Sequence, residues 1–132
     1  MEAASFDAPD RQVVQGYRPG GFTVSGVRWE GSVLVMRDRT LSWGIAAPDQ
    51  LVLAPFEPLR ANEPKVDLLI VGTGARSALF PPALRQALRG WGIVVEAMAT
   101  PAACRTYNVL LAEERRVAAA LIALPPEGSA QP

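Results

Sequence analysis

The sequence contains no histidine, and cysteine occurs once, at Cys104. The first absence removes Ser-His-Asp and Cys-His catalysis, histidine-bearing zinc sites and the usual proton shuttle near neutral pH. The second excludes an intramolecular disulfide and any multi-cysteine metal site. No catalytic set, cofactor or metal centre is therefore assigned. Net charge is also missing, because 13 basic residues balance 13 acidic ones. With no basic stripe or arm, the electrostatic footprint of a nucleic-acid binder is lacking. A near-neutral surface favours self-association over repulsion, so a homodimer is expected.

No apolar run approaches the ~20 residues that cross a bilayer. The longest, Val117–Leu124, suits a buried strand. The opening Met1-Glu2-Ala3-Ala4-Ser5-Phe6-Asp7 is acidic and lacks an apolar core, unlike a secretory signal or a basic transit peptide. Cytoplasmic is the expected location. The abundance of Ala, Arg, Gly and Pro suggests a GC-rich bacterial source.

What is present suffices for one globular domain. Hydrophobic residues make up 49% of 132, enough for a single core. Residues 1–10 and 125–132 lack periodic apolar positions and read as mobile ends, leaving 11–124 as the domain.

The first half reads as an antiparallel β-meander. Phe22-Thr23-Val24 and Val27-Arg28-Trp29 flank Ser25-Gly26, where Gly26 can take positive φ. Glu30-Gly31 turns into Ser32–Met36, and Arg37-Asp38 turns into Arg39–Trp43. Pro48 to Pro64 reads as loop with one helical turn. The second half alternates strand and helix. Val66–Val71 is almost continuously apolar, as in a strand covered on both faces. Pro81-Pro82 opens a helix with Leu84, Leu88 and Trp91 on one face, ended by Gly90 or Gly92. Ile93–Val95 is the next strand. Thr100 is placed as an N-cap with Pro101 as first helical residue, giving a helix to about Glu114. Arg115-Arg116 then turns into the strand Val117–Leu124. The implied architecture is a three-layer α/β domain with a central mixed sheet, right-handed crossovers and a packed N-terminal meander.

Ligands in open α/β sheets bind beyond the carboxyl ends of parallel strands. That rule selects a cleft between Gly72-Thr73-Gly74-Ala75-Arg76 and the stretch from Glu96 to Thr100. Backbone amides of Gly72, Thr73 and Gly74 could meet an anion there, with Arg76 supplying charge. The structural reading, a tight exit from a buried strand, is favoured, because the spacing matches neither a P-loop nor a dinucleotide fingerprint. Cys104 lies in the first turns of its helix, where the macrodipole lowers a thiol pKa, and Glu96 could serve it as acid or base. Packing is favoured for it instead, since Cys104, Tyr107 or Asn108, and Leu111 share a helical face. Asn108, polar on that face, either holds a neighbouring strand or a ligand, and the first is favoured. Glu113, Glu114, Arg115 and Arg116 read as a solvated helix end, and Trp29, Trp43 and Trp91 as core. The candidate ligand contacts are thus Gly72, Thr73, Gly74, Arg76, Glu96, Thr100, Cys104 and Asn108.

The run Ala103-Cys104-Arg105-Thr106-Tyr107-Asn108-Val109-Leu110, with Gly72-Thr73-Gly74, Gly92-Ile93, Glu96-Ala97-Met98 and Glu114–Ile122, resembles a small α/β family. Tyr17-x-Pro19-Gly20-Gly21-Phe22 and Gly31–Val35 match as well, so the likeness spans about residues 11 to 124. This is the family that includes the mitochondrial complex I assembly factor 3 and its bacterial and archaeal relatives. The resemblance implies a three-layer fold, no established catalytic activity and work through protein partners. It carries Gly72, Gly74, Glu96, Thr100, Cys104, Tyr107 and Asn108 as motif positions without a chemical role. The function expected is a non-enzymatic interaction or respiratory-complex assembly factor. The alternative is a small-anion-binding domain or enzyme using the Gly72–Gly74 turn and the Thr100 helix N-terminus. The partners left open are a protein, a small anion and a second copy of the chain.

Overall fold

Eight strands, two α-helices and two short 3-10 segments make up the computed structural model, which describes residues 11–126. The expectations for residues 1–10 and 127–132 lie outside the described residues. Strands β1 (Val14–Arg18), β2 (Gly21–Val24) and β3 (Val27–Glu30) form an antiparallel sheet of their own. Strands β4 (Val33–Val35), β5 (Thr40–Ser42), β6 (Leu68–Gly72), β7 (Val94–Met98) and β8 (Val117–Leu121) form the main sheet in the order β5-β4-β8-β6-β7. The β6–β7 and β6–β8 pairs are parallel, while β4 runs antiparallel to both β5 and β8.

This corrects the single meander expected from the first half. The chain leaves β3 through Gly31, at φ +83°, and β4 then joins the main sheet beside β8. Turn signals mark where strands end and say nothing of which sheet they join. The β2–β3 hairpin is as expected, with Ser25 and Gly26 both at positive φ, as a two-residue turn of this hand requires. Strand β1 escapes the sequence reading because Gly16 and alternating polar residues dilute its pattern. The last strand stops at Leu121 rather than Leu124, although Leu124 still bridges to Pro19. The Pro48–Pro64 loop holds two 3-10 segments, Pro48–Gln50 and Ala54–Leu59, where one turn was expected.

Helix α1 (Pro82–Gly90) connects β6 to β7, and α2 (Thr100–Ala112) connects β7 to β8. They cover opposite faces of the main sheet. On one face, Leu84 and Leu88 pack with Leu69, Val71, Val95, Ala118 and Ala120. An edge-to-face aromatic stack of Trp43, Phe56 and Phe80 extends that layer, with ring centroids 5.2 and 6.3 Å apart. On the other face, Ala103, Cys104, Tyr107 and Leu111 pack with Ile70, Val117, Ala119 and Leu121, and Val14, Phe22 and Val24 of the small sheet close over them. Every residue of β8 is buried, and its three alanines let both outer layers approach the central strand closely. Of the tryptophans, Trp43 is buried while Trp29 and Trp91 are half-buried.

Candidate functional site

The carboxyl ends of β6 and β7 lie where the sequence places them, but hydrogen bonds sew the crevice between them shut. Thr73 N donates to Met98 O at 2.9 Å, so the exit of β6 is tied to the end of β7. Gly74 N donates to Thr100 Oγ1 at 2.9 Å, and Thr100 N donates back to Gly74 O at 2.8 Å. The Thr100 hydroxyl in turn donates to Ile122 O at 2.7 Å, and Ile122 N donates to Gly72 O at 2.9 Å. Thr100, fully buried, therefore couples the ends of three segments.

Thr100 does not cap its helix as expected. Ala99 holds the cap position, without a side-chain cap bond, and the Thr100 hydroxyl turns inward to the chain ends below it. The threonine satisfies one buried donor and one buried acceptor, each of which would otherwise cost about 1–3 kcal/mol. Gly72 is needed for proximity rather than for positive φ. A β-carbon there would stand 2.7 Å from Thr100 Oγ1, 2.9 Å from Thr100 Cα and 3.2 Å from Ala103 Cβ. Gly74 supplies the left-handed geometry, at φ +105°.

The remaining candidates are dispersed. Gly72, Thr73 and Gly74 are buried, and the Thr73 hydroxyl donates to Arg76 O at 2.7 Å while accepting from Ala78 N at 3.1 Å. Two of the three amides considered for an anion, those of Thr73 and Gly74, are thus engaged within the fold. The Arg76 side chain is exposed in the loop beyond the turn, and Glu96 is exposed on the edge strand β7. Cys104 is buried against the sheet, and that burial pushes its thiol up to about 12, against a smaller lowering by Arg105. Asn108 clamps β1, accepting from Val14 N at 3.0 Å and donating to Val14 O at 2.7 Å. The preceding residue, buried Tyr107, donates its hydroxyl to Gln12 O at 2.7 Å. Burial holds the Tyr107 phenol well above its ordinary range.

Concave surface lies elsewhere. A groove of about 480 Å³ opens at the same end of the main sheet, on its β4–β5–β8 half, lined by Trp43, Ile45, Leu124, Pro125 and the backbone at Gly20 and Gly31. A smaller cavity of about 140 Å³ sits at the opposite end, lined by Arg37, Lys65, Arg115, Arg116, Glu114 and Asn62 among others. None of the eight candidate residues lines either. No local motif marks the groove, because Trp43–Ala46 and Ala123–Pro126 stand some eighty positions apart. Among the described residues, no group of three or more His, Cys, Asp or Glu could hold a metal ion.

The fold is shared by solved bacterial proteins. An Mth938-like domain of Bordetella pertussis superposes with a TM-score of 0.76 at 30% identity, over 87% of each chain. A protein of Rhodopseudomonas palustris gives 0.76 at 40% identity, over 91% of this chain and 89% of the other. Residues 14–122 match the family described as a protein of unknown function, DUF498/DUF598, and the chain belongs to that family. Among its relatives, the NADH dehydrogenase [ubiquinone] 1 alpha subcomplex assembly factor 3 of Danio rerio is 35% identical over 117 residues, covering 89% of this chain. An uncharacterised protein of Rhodobacter capsulatus is 39% identical over 112 residues, covering 85% of each chain. The chain spans about two thirds of the length of the vertebrate relatives, 67% and 64% for two of them.

Proposed function

We propose that this protein is a non-enzymatic assembly factor that binds subunits of a respiratory NADH:ubiquinone oxidoreductase while that complex is being built. The observation that carries the reading is the likeness, over nearly the whole domain, to relatives named as assembly factors of that dehydrogenase. The internal use of Thr73, Gly74, Thr100, Cys104 and Asn108 supports it, since the groups best suited to chemistry or anion binding serve the fold.

We place the partner contact at the groove between Trp43–Ala46 and Ala123–Pro126. Its lining is mostly apolar and partly aromatic, and its volume of about 480 Å³ would accept an anchoring side chain of a subunit. The test is affinity purification of the tagged full-length protein from its own cells, with subunits of the oxidoreductase quantified in the eluate. Enrichment of those subunits, reduced at least tenfold by Ala46→Arg at the exposed rim, is the expected result. Eluates with no enrichment of those subunits would count against the assembly role. Enrichment that Ala46→Arg leaves unchanged would move the contact away from this groove.

A further inference from the structure

Glu113–Arg116 is exposed, as the sequence reads it, and Glu114, Arg115 and Arg116 of this stretch also line a basic cavity. The 140 Å³ concavity at the amino end of β6 and β8 is lined by Arg37, Lys65, Arg115 and Arg116, against a single acid, Glu114. Four formal positive charges and one negative leave the lining at three positive. That lone acid is already shared, because Glu114 pairs with Arg37 at 3.2 Å and also with Arg11. Neither Arg115 nor Arg116 has an acid partner among the described residues. Lys65 Nζ donates to the carbonyl of Trp91 at 3.1 Å and has no acid partner among the described residues.

The carboxyl end of α2 accounts for only part of this clustering. It contributes about half a negative charge, too little to balance three cations. One buried polar residue also lines the space. Asn62, 7% exposed, lines the cavity, accepting from Arg39 Nε and donating to Pro64 O. Arginine and lysine side chains gathered on one small concavity supply the donor types that hold tetrahedral oxyanions.

We infer that this cavity binds a phosphate-type oxyanion carrying two or more negative charges, either free or displayed on a larger molecule. A monocarboxylate would leave most of the lining charge unbalanced. The site is separate from the groove assigned to partner binding, at the other end of the sheet, so either assignment can fail without the other.

The experiment titrates the full-length protein with inorganic phosphate, with O-phosphoserine and with acetate, each matched in ionic strength with sodium chloride. Backbone amide shifts and melting temperature are read for wild type, for Arg115→Gln/Arg116→Gln and for the exposed control Arg105→Gln. Shifts centred on Lys65, Val66 and Arg115–Val117 are expected in wild type and in the control, with affinity at least tenfold weaker in the double variant. Binding of both phosphate compounds fits a site open to a displayed phosphate, and binding of phosphate alone fits a free ion. An undiminished response in the double variant, an equal response to acetate, or no phosphate response in the folded wild type would overturn the inference.

Discussion

Gly72 and Thr100 sit so close that a β-carbon on the glycine would lie 2.7 Å from the threonine hydroxyl oxygen and 2.9 Å from its α-carbon. The approach brings helix α2 down onto β6 and allows the threonine to reach both Gly74 N and Ile122 O. A place that looks like a ligand crevice is in this way filled by the chain itself. Gly72→Ala forces backbone apart, because one of the opposed atoms is an α-carbon that cannot rotate away. A loss of about 1–3 kcal/mol in urea unfolding is expected. Gly74→Ala meets no neighbouring atom within 4 Å, so its cost, about 1–3 kcal/mol, comes from the positive φ alone.

Thr100→Val keeps the shape of the side chain and removes both of its hydrogen bonds. Gly74 N and Ile122 O then remain buried without that partner, and roughly 2–4 kcal/mol of stability should be lost. Thr100→Ser keeps the hydroxyl and should lose only about 1 kcal/mol for the missing methyl. Equal losses in the two variants, measured by equilibrium unfolding, would show that the hydroxyl contributes nothing.

Cys104 should resist thiol reagents at pH 8 in the native protein and react once the chain is unfolded. Its thiol is raised by burial from 9.0 to about 12, so folding favours the protonated form. The resulting contribution is intact below pH 9, where the thiol is protonated in both states. It is lost progressively as pH rises from 9 towards 12, because only the unfolded chain then ionises. At pH 10 the loss attributable to this thiol is about 1 kcal/mol. Cys104→Ala should therefore flatten the decline in stability between pH 9 and 11, with the remaining alkaline loss partly due to buried Tyr107.

Asn108 grips strand β1 through both the N–H and the carbonyl of Val14. Asn108→Ala should speed hydrogen exchange at Val14 by at least tenfold while leaving the β6 amides little changed. Asn108→Asp keeps the acceptor but sets a carboxylate against the Val14 carbonyl. Protonation restores a donor, so this variant should regain stability relative to wild type as pH falls through the ordinary aspartate range. A constant difference between the two proteins from pH 7 to pH 3 would contradict the clamp.

The second half of the fold is legible in sequence because its signals are strong and local. Val66–Val71 reads as a doubly covered strand, and Pro82 and Pro101 open helices where prolines are tolerated. Less legible is the division of the first half into two sheets, since pairing partners are chosen by long-range burial. Val33 and Val35 turn inward against α2 and β8, a contact that no hairpin signal contains. The end of the sheet where β6 and β7 finish can be named from general topology. That its crevice is closed depends on Thr100 turning inward rather than capping, which residue type alone does not decide. The groove and the basic cavity are assembled from segments far apart in the chain, and neither leaves a motif.

The assembly role is tested most directly in cells lacking the protein, by the amount of mature NADH:ubiquinone oxidoreductase resolved on a native gel. In those cells the mature complex is expected to fall severalfold, with partly assembled fragments accumulating, and to be restored by both the wild-type chain and Cys104→Ala. Mature complex at undiminished levels in those cells would contradict the account.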